Sequence, residues 1–293
     1  MSTVTSPLIW LDGKLGAQPS ALDRGLAYGD GLFETCRLQD GRIPLWQHHL
    51  RRLQTSAAAF ALELNTAQLH TWLTAALAHL HQHNIHQGTV KVMLTRGVGG
   101  RGYQLPPMAT PTVLLLVYPD SLDVLRAPQT PLRIRVCRTP LGRNRVLAGH
   151  KHLNRLENVL ARAEWQCDEF DEGLMLDDGA HVIEATAHNV FMYRQGCWYT
   201  PALDEAGVAG VMRQLLIDEL APRCKVPVVI APITLADICQ ADEIILCNSN
   251  RGIRPVAELT DGSGVLHRFL QHDNAQRLTA VLSDLLQGKG TIK

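Results

Sequence analysis

Two periods alternate along the first 120 residues. Leu50, Leu53, Ala57, Phe60 and Ala61 recur at helical spacing, as do Leu69, Leu73, Leu77 and Leu80, so two amphipathic helices are expected in succession. Shorter apolar runs flank them. Leu8-Ile-Trp-Leu11 turns at Asp12-Gly13, and residues 31–38 lead through Asp40-Gly41 to Ile43. An Asp-Gly pair between apolar alternations is a strong hairpin signal, so both are expected as hairpins. Residues 89–95 and 112–118 read as buried strands. This half is therefore expected to be a mixed α+β unit.

The pattern lapses in Asp120-Ser-Leu-Asp-Val-Leu-Arg-Ala-Pro-Gln-Thr-Pro131, which is proline-marked and aperiodic. The expected organisation is a small α+β domain over 1–119, a linker over 120–131 and a larger mixed α/β domain over 132–293. The larger domain opens with the strand Leu132-Arg-Ile-Arg-Val-Cys-Arg138. A helix whose apolar face is Leu153, Leu156, Val159, Leu160 and Ala163 should follow, with Asn154 as its cap. Strands are expected at 173–177, 182–185, 189–193, 226–230 and 243–247, with tight turns at Asp178-Gly179 and Gln195-Gly196. Helices should run over 211–220 and through Leu270, Leu278, Val281, Leu282 and Leu285. Neither internal repeats nor low-complexity tracts are visible.

Composition narrows the functional classes. With 46% hydrophobic and 19% charged residues, a chain of 293 can bury one large or two ordinary cores. Formal net charge is zero and no long block of like charge occurs, so nucleic acid is not the expected partner. Residues 1–7 lack a basic segment followed by an apolar core, and no apolar run approaches the roughly 18 residues of a membrane span. A cytoplasmic protein with no membrane contact is expected. Seven scattered cysteines without a C-x-x-C pair read as reduced, buried thiols.

The chemistry centres on Lys151, one of six lysines against 22 arginines, in Gly149-His150-Lys151-His152-Leu153-Asn154-Arg155. Arg143, Arg145 and Arg155 lie nearby in sequence, and neighbouring positive charge favours a neutral, nucleophilic amine. Such a lysine forms Schiff bases with pyridoxal phosphate or carbonyl substrates. A pyridoxal phosphate enzyme also needs an anion site and a carboxylate for its pyridine nitrogen. Gly207-Val-Ala-Gly210 before a helix at Val211-Met212-Arg213 would present N–H groups to a phosphate, and Arg52 would add fixed positive charge. Glu184 ends the otherwise apolar strand Val182-Ile-Glu-Ala185, where a carboxylate needs a cationic partner. The polar loop Cys247-Asn-Ser-Asn250 follows another apolar strand.

Two further patterns lead elsewhere. Gly97-Val-Gly-Gly-Arg-Gly102 matches G-x-G-x-x-G, but Pro106-Pro107 stands where a dinucleotide-binding helix should begin. These glycines are better read as a substrate loop displaying Arg101 and Tyr103. His79, His81, His83 and His86 cluster without acidic or cysteine co-ligands, so a polar helix end is expected and no metal site.

Together the segments resemble the fold-type IV pyridoxal phosphate enzymes, the family of branched-chain and D-amino acid aminotransferases. The marks are Asp23-Arg-Gly-Leu-Ala-Tyr-Gly-Asp-Gly-Leu-Phe-Glu-Thr35, Arg52, Glu184 with Asn189, and Gly210-Val-Met-Arg213. The resemblance implies pyridoxal 5'-phosphate as cofactor, a homodimer, Lys151 as the Schiff-base lysine and Glu184 as the pyridine partner. It further implies Arg52, Asn189, Val211, Met212, Ser249 and Asn250 around the cofactor, with Tyr28, Glu34, Arg101 and Tyr103 toward a small-molecule substrate. Arg96-Gly-Val-Gly-Gly-Arg-Gly-Tyr103 and Lys151-His-Leu-Asn-Arg-Leu-Glu157 are similar to the lyases of that family, which release pyruvate from 4-amino-4-deoxychorismate and leave para-aminobenzoate for folate synthesis. Some of those lyases carry a threonine where this chain has Glu34, so an acid–base role for that threonine does not carry over. The competing expectation is transamination of a D-amino or branched-chain substrate.

Overall fold

A computed structural model describes residues 7–125, 129–166 and 168–287. Residues 1–6, residues 126–128 of the proline-marked stretch, Cys167 and residues 288–293 lie outside the described residues. The chain divides into two compact units. One comprises Met1–Asp123 with Lys151–Asn154, and the other Val124–His150 with Arg155–Lys293.

The first unit contains β1 (Leu8–Leu11), β2 (Lys14–Leu15), α1 (Arg24–Tyr28), β3 (Gly31–Leu38), α2 (Trp46–Ala59), α3 (Thr66–Gln82), β4 (Gly88–Thr95) and β5 (Thr112–Pro119). Its five strands form an antiparallel sheet in the order β2-β1-β5-β4-β3. Alternation decides which residues face the helices. Leu32, Cys36 and Leu38 of β3, Val90, Val92 and Leu94 of β4, and Val113, Leu115 and Val117 of β5 pack with Leu53 and Ala57 of α2 and Leu69, Leu73 and Leu80 of α3. The first hairpin forms at Asp12 and Gly13, both at positive φ. The second expectation is corrected: Asp40-Gly41 turns, but its far arm is a single bridge between Gln39 and Arg42. β3 takes β4 as its neighbour instead, because that pairing aligns eight residues and buries one face of each strand.

The second unit contains β6 (Leu132–Val136), α4 (Leu156–Arg162), β7 (Glu172–Leu176), β8 (Val182–Ala185), β9 (Asn189–Arg194) and β10 (Cys197–Thr200). Then come α5 (Val211–Leu215), which runs through a π-helical turn (Leu216–Leu220) into α6 (Ala221–Arg223), β11 (Val228–Ile230), α7 (Leu235–Cys239), β12 (Glu243–Asn248), β13 (Gly252–Thr260), β14 (Leu266–Arg268) and α8 (Asp273–Leu286). Nine strands form a mixed sheet in the order β11-β10-β9-β12-β13-β6-β7-β8, with β14 beside β13. Ile134, Leu174, Val190, Ile244, Leu246, Val256 and Leu259 fill its core.

Two helix expectations change. α4 starts at Leu156 with Arg155 at its N-terminus and no side-chain cap, while Asn154 donates through Nδ2 to the carbonyl of Gly29 at 3.1 Å. Its stripe of Leu156, Val159 and Leu160 is exposed; Ala161 is the residue it buries. Leu270 stands before α8 and is exposed, whereas Ala275, Leu278 and Leu282 form the buried face. Among the described residues no helix is long and apolar enough to cross a membrane.

Candidate active site

Lys151 reaches the first unit through backbone pairing with the start of β3. The N–H of Phe33 donates to the Lys151 carbonyl at 2.9 Å, the N–H of Leu153 donates to the Gly31 carbonyl at 3.0 Å, and Leu32 and His152 form an antiparallel bridge. Gly31 permits this approach: a Cβ there would lie 2.5 Å from the Leu94 carbonyl oxygen and 2.9 Å from Leu153 Cδ1. Lys151 Nζ stands 4.4 Å from the centroid of the Phe33 ring. Two of the three arginines whose sequence proximity suggested a neutral amine have carboxylate partners of their own, and Arg155 donates to the His150 carbonyl at 2.9 Å. Arg143 pairs with Asp177 and Asp178, and Arg145 with Glu205.

The next residue of β3 points to the helix side. Glu34 is 1% exposed. It accepts from Arg52 Nε at 2.8 Å, is bonded again by Arg52 Nη2, and lies 2.6 Å from His49 Nδ1. His49 and Arg52 are three apart on α2 and so share a helix face. Burial alone would raise the Glu34 carboxyl, but Arg52 and the His49 hydrogen bond outweigh it and hold the group at about 2. Burial lowers the His49 imidazole. Glu34 is thus a buried anion that fixes the Arg52 guanidinium.

The glycine loop is tied to α1. Asp23 caps α1 by accepting from the N–H of Gly25 at 2.7 Å and also accepts from Thr95 Oγ1 at 2.9 Å. Arg24 and Arg96 both reach Asp30, at 2.9 and 2.8 Å, which lowers the Asp30 carboxyl against its burial. Arg24 Nη1 donates to the Gly102 carbonyl, and the Gly102 N–H donates to the Tyr28 hydroxyl at 3.1 Å. Tyr28 and Tyr103 pack ring to ring at 5.6 Å, while Arg101 is exposed. Gly97, at φ +81, allows the loop to leave β4 where a Cβ would strike the Thr110 carbonyl oxygen.

In the second unit Glu184 is buried on β8, and its Oε2 accepts from the N–H of Val208 at 2.8 Å. Asn189 Nδ2 donates to the Val208 carbonyl at 2.8 Å, so both polar groups of one residue in the glycine turn are clamped by side chains. Gly207 sits at φ +83, and a Cβ there would lie 2.8 Å from Ile183 Cγ2 and 3.2 Å from Glu184 Oε2. Gly210 begins α5 without a side-chain cap; a Cβ there would fall 1.9 Å from Asn189 Oδ1. Arg213 is buried behind this turn, donating to the Pro201 carbonyl and to Thr200 Oγ1. Ser249 and Asn250 form the turn between β12 and β13, where the N–H of Asn250 donates to Asn248 Oδ1 at 3.0 Å.

The class IV amino-transferase profile matches residues 31–259. The chain belongs to the class IV aminotransferase family. It is 34% identical over 253 residues to the aminodeoxychorismate lyase of Vibrio harveyi, covering 86% of this chain and 92% of the relative. It is 31% identical to a putative branched-chain-amino-acid aminotransferase of Methanocaldococcus jannaschii over 260 residues, 86% of this chain and 87% of that one. The crystal structure of 4-amino-4-deoxychorismate lyase from Pseudomonas aeruginosa superposes with a TM-score of 0.82 at 40% identity, covering 96% of this chain and 98% of that one.

Sequence reading missed His49, the buried partner of Glu34, although its i, i+3 relation to Arg52 was legible. It also missed Lys91 of β4, whose Nζ lies 4.8 Å from the centroid of the same Phe33 ring that Lys151 approaches. The single charge within Val90-Lys-Val-Met-Leu94 was its only local signal.

Proposed function

We propose that the protein is a pyridoxal 5'-phosphate-dependent lyase that converts 4-amino-4-deoxychorismate to para-aminobenzoate and pyruvate. The observation that carries this reading is the similarity to two such lyases, at 34% and 40% identity, over nearly the full length of the chain. The residues present fit the cofactor. A buried carboxylate at Glu184 suits a protonated pyridine nitrogen, and the uncapped start of α5 leaves the N–H groups of Val211 and Met212 for a phosphate. Arg52, oriented by Glu34, would add fixed positive charge, and Asn189, Ser249 and Asn250 would complete the surroundings. When bound, the cofactor supplies an electron sink for deprotonation next to the substrate amine.

Lys151 would hold the cofactor through its side-chain amine, and the same amine, once free, would take the substrate's ring C–H proton as general base. As that proton leaves, the ring C–O bond would break, the ring would become aromatic, and the departing enolpyruvate would take up a proton to become pyruvate. Tyr28, Arg101 and Tyr103 are the proposed substrate contacts on the glycine loop, with Arg101 offered to a carboxylate. The chain is read as a cytoplasmic homodimer.

The 31% identity to an aminotransferase keeps transamination as the second reading. A steady-state assay separates the two. Sustained, stoichiometric release of pyruvate and para-aminobenzoate with no keto acid added is expected, because elimination leaves the amine on the product. Activity that stops after about one turnover per site and resumes on adding a keto acid would establish transamination, whose two half-reactions alternate.

A further inference from the structure

Lys91 is the one charged residue in the run 88–95, and its side chain does not join the core. Val90, Val92 and Leu94 face the helices, so Lys91 and Met93 lie on the opposite face of the sheet. The register sets Lys91 across from Thr35 and diagonal to Phe33, whose own partner is Met93. Lys91 Nζ is 4.8 Å from the Phe33 ring centroid and Lys151 Nζ is 4.4 Å from it, so the two nitrogens lie within about 9 Å of each other. Lys91 is half-buried, and burial lowers its ammonium. Among the described residues no carboxylate forms an ion pair with it; the contact it makes is the Phe33 ring.

A half-buried ammonium without a counter-ion is an unfavourable arrangement for a protein at rest. An anion placed beside it removes the penalty. Phe33 gives that anion's carrier an apolar surface on which a six-membered ring can lie.

We propose that Lys91 is a carboxylate-binding site for the substrate, one aromatic ring away from Lys151, so that Lys151 meets the substrate's amine while Lys91 receives one of its carboxylates. The proposal rests on the lyase reading for the identity of the substrate. The anion site itself rests on the shared face of β3 and β4.

The test uses holoenzyme and the variants Lys91→Met and Lys91→Arg, with para-aminobenzoate and pyruvate as separate probes, each carrying one carboxylate. Calorimetric titration is expected to show one probe losing roughly 10- to 100-fold in affinity in Lys91→Met, the range of a lost charge-assisted hydrogen bond. KM for 4-amino-4-deoxychorismate should rise by a similar factor with kcat little changed, as for a contact made equally in ground and transition states. Lys91→Arg should recover most of the loss. The probe that weakens identifies which carboxylate Lys91 holds. Lys91→Gln replaces the methionine variant if the latter does not fold.

Unchanged affinity for both probes together with unchanged KM overturns the site. So does loss of cofactor binding with probe affinity intact, which would give Lys91 to the cofactor. If the wild-type protein releases no pyruvate yet a probe binds and Lys91→Met abolishes that binding, the anion site stands and the lyase reading falls. If pyruvate is released and Lys91→Met behaves as wild type, the reverse holds.

Discussion

Glu34 shows how one residue couples stability to the site. Its carboxyl is held at about 2 against an ordinary 4.5, so its contribution is fully present above about pH 4.5 and is lost as pH falls toward 2. Replacing it with glutamine leaves the Arg52 guanidinium, 13% exposed, without its anion. The expected loss is about 3 kcal/mol near neutral pH, the low end for breaking a buried pair. Urea unfolding at several pH values checks it. The wild type should lose stability between pH 4.5 and its acid limit, and Glu34→Gln should lack that part of the slope. A glutamine variant as stable as wild type at pH 7 would show that the pair contributes nothing. Glu184 stood out in the sequence as a charge on an apolar strand that demands a partner, and Lys151 as a rare lysine flanked by arginines. Glu34, His49 and Lys91 acquired their settings only from packing and register, so local pattern could not reveal what each one touches.

At the scale of elements, the turn from Gly207 to Gly210 was expected from the sequence to face a phosphate, and the structure adds a packing role for its glycines. Its glycines serve close approach: Gly207 adopts φ +83 against Ile183 and Glu184, and Gly210 yields to Asn189. Gly207→Ala is expected to cost about 1–3 kcal/mol through strain at positive φ and to displace the N–H that Val208 gives Glu184. Pyridoxal phosphate affinity, followed by cofactor absorbance, should fall roughly tenfold or more, since a hydrogen bond to a charged group is disturbed. An alanine variant that binds the cofactor as the wild type does would remove this turn from the site. β4, α2 and α3 were legible because each is long and strongly periodic, and β5 because it is a continuous apolar run. β13 was not, for Pro255 interrupts a run that nonetheless lies between β12 and β6. Proline in a central strand argues against a strand reading, and here the pairing with β6 shifts register immediately beyond it, between Val256 and Glu258. α4 was read too early because Asn154, a good cap by type, bonds to Gly29 instead.

For the whole molecule, selectivity among its lysines is the measurable property. Lys151–Asn154 belongs to the first unit although the residues before and after it belong to the second. That excursion sets Lys151 against β3 and over Phe33. Borohydride reduction of the protein with pyridoxal phosphate, followed by peptide mapping, should therefore label Lys151 and leave the other five lysines unmodified. An adduct on Lys91 with Lys151 unmodified would exchange the roles proposed for the two.

The periodicities and turn residues of this chain by themselves determined most of its helices and strands, since those depend on neighbours within a few positions. Charge type and glycine placement likewise marked Lys151, Glu184, Arg52 and the Gly207–Gly210 turn as candidates for chemistry. Tertiary structure alone decided that β3 pairs with β4 rather than across its own Asp-Gly turn, that Glu34 is buried against Arg52 and His49, and that Lys91 and Lys151 share one phenylalanine ring. Each of these rests on contacts between residues far apart in sequence. Such contacts are chosen by the total apolar area a register buries and by the charges it brings together, quantities no local window contains.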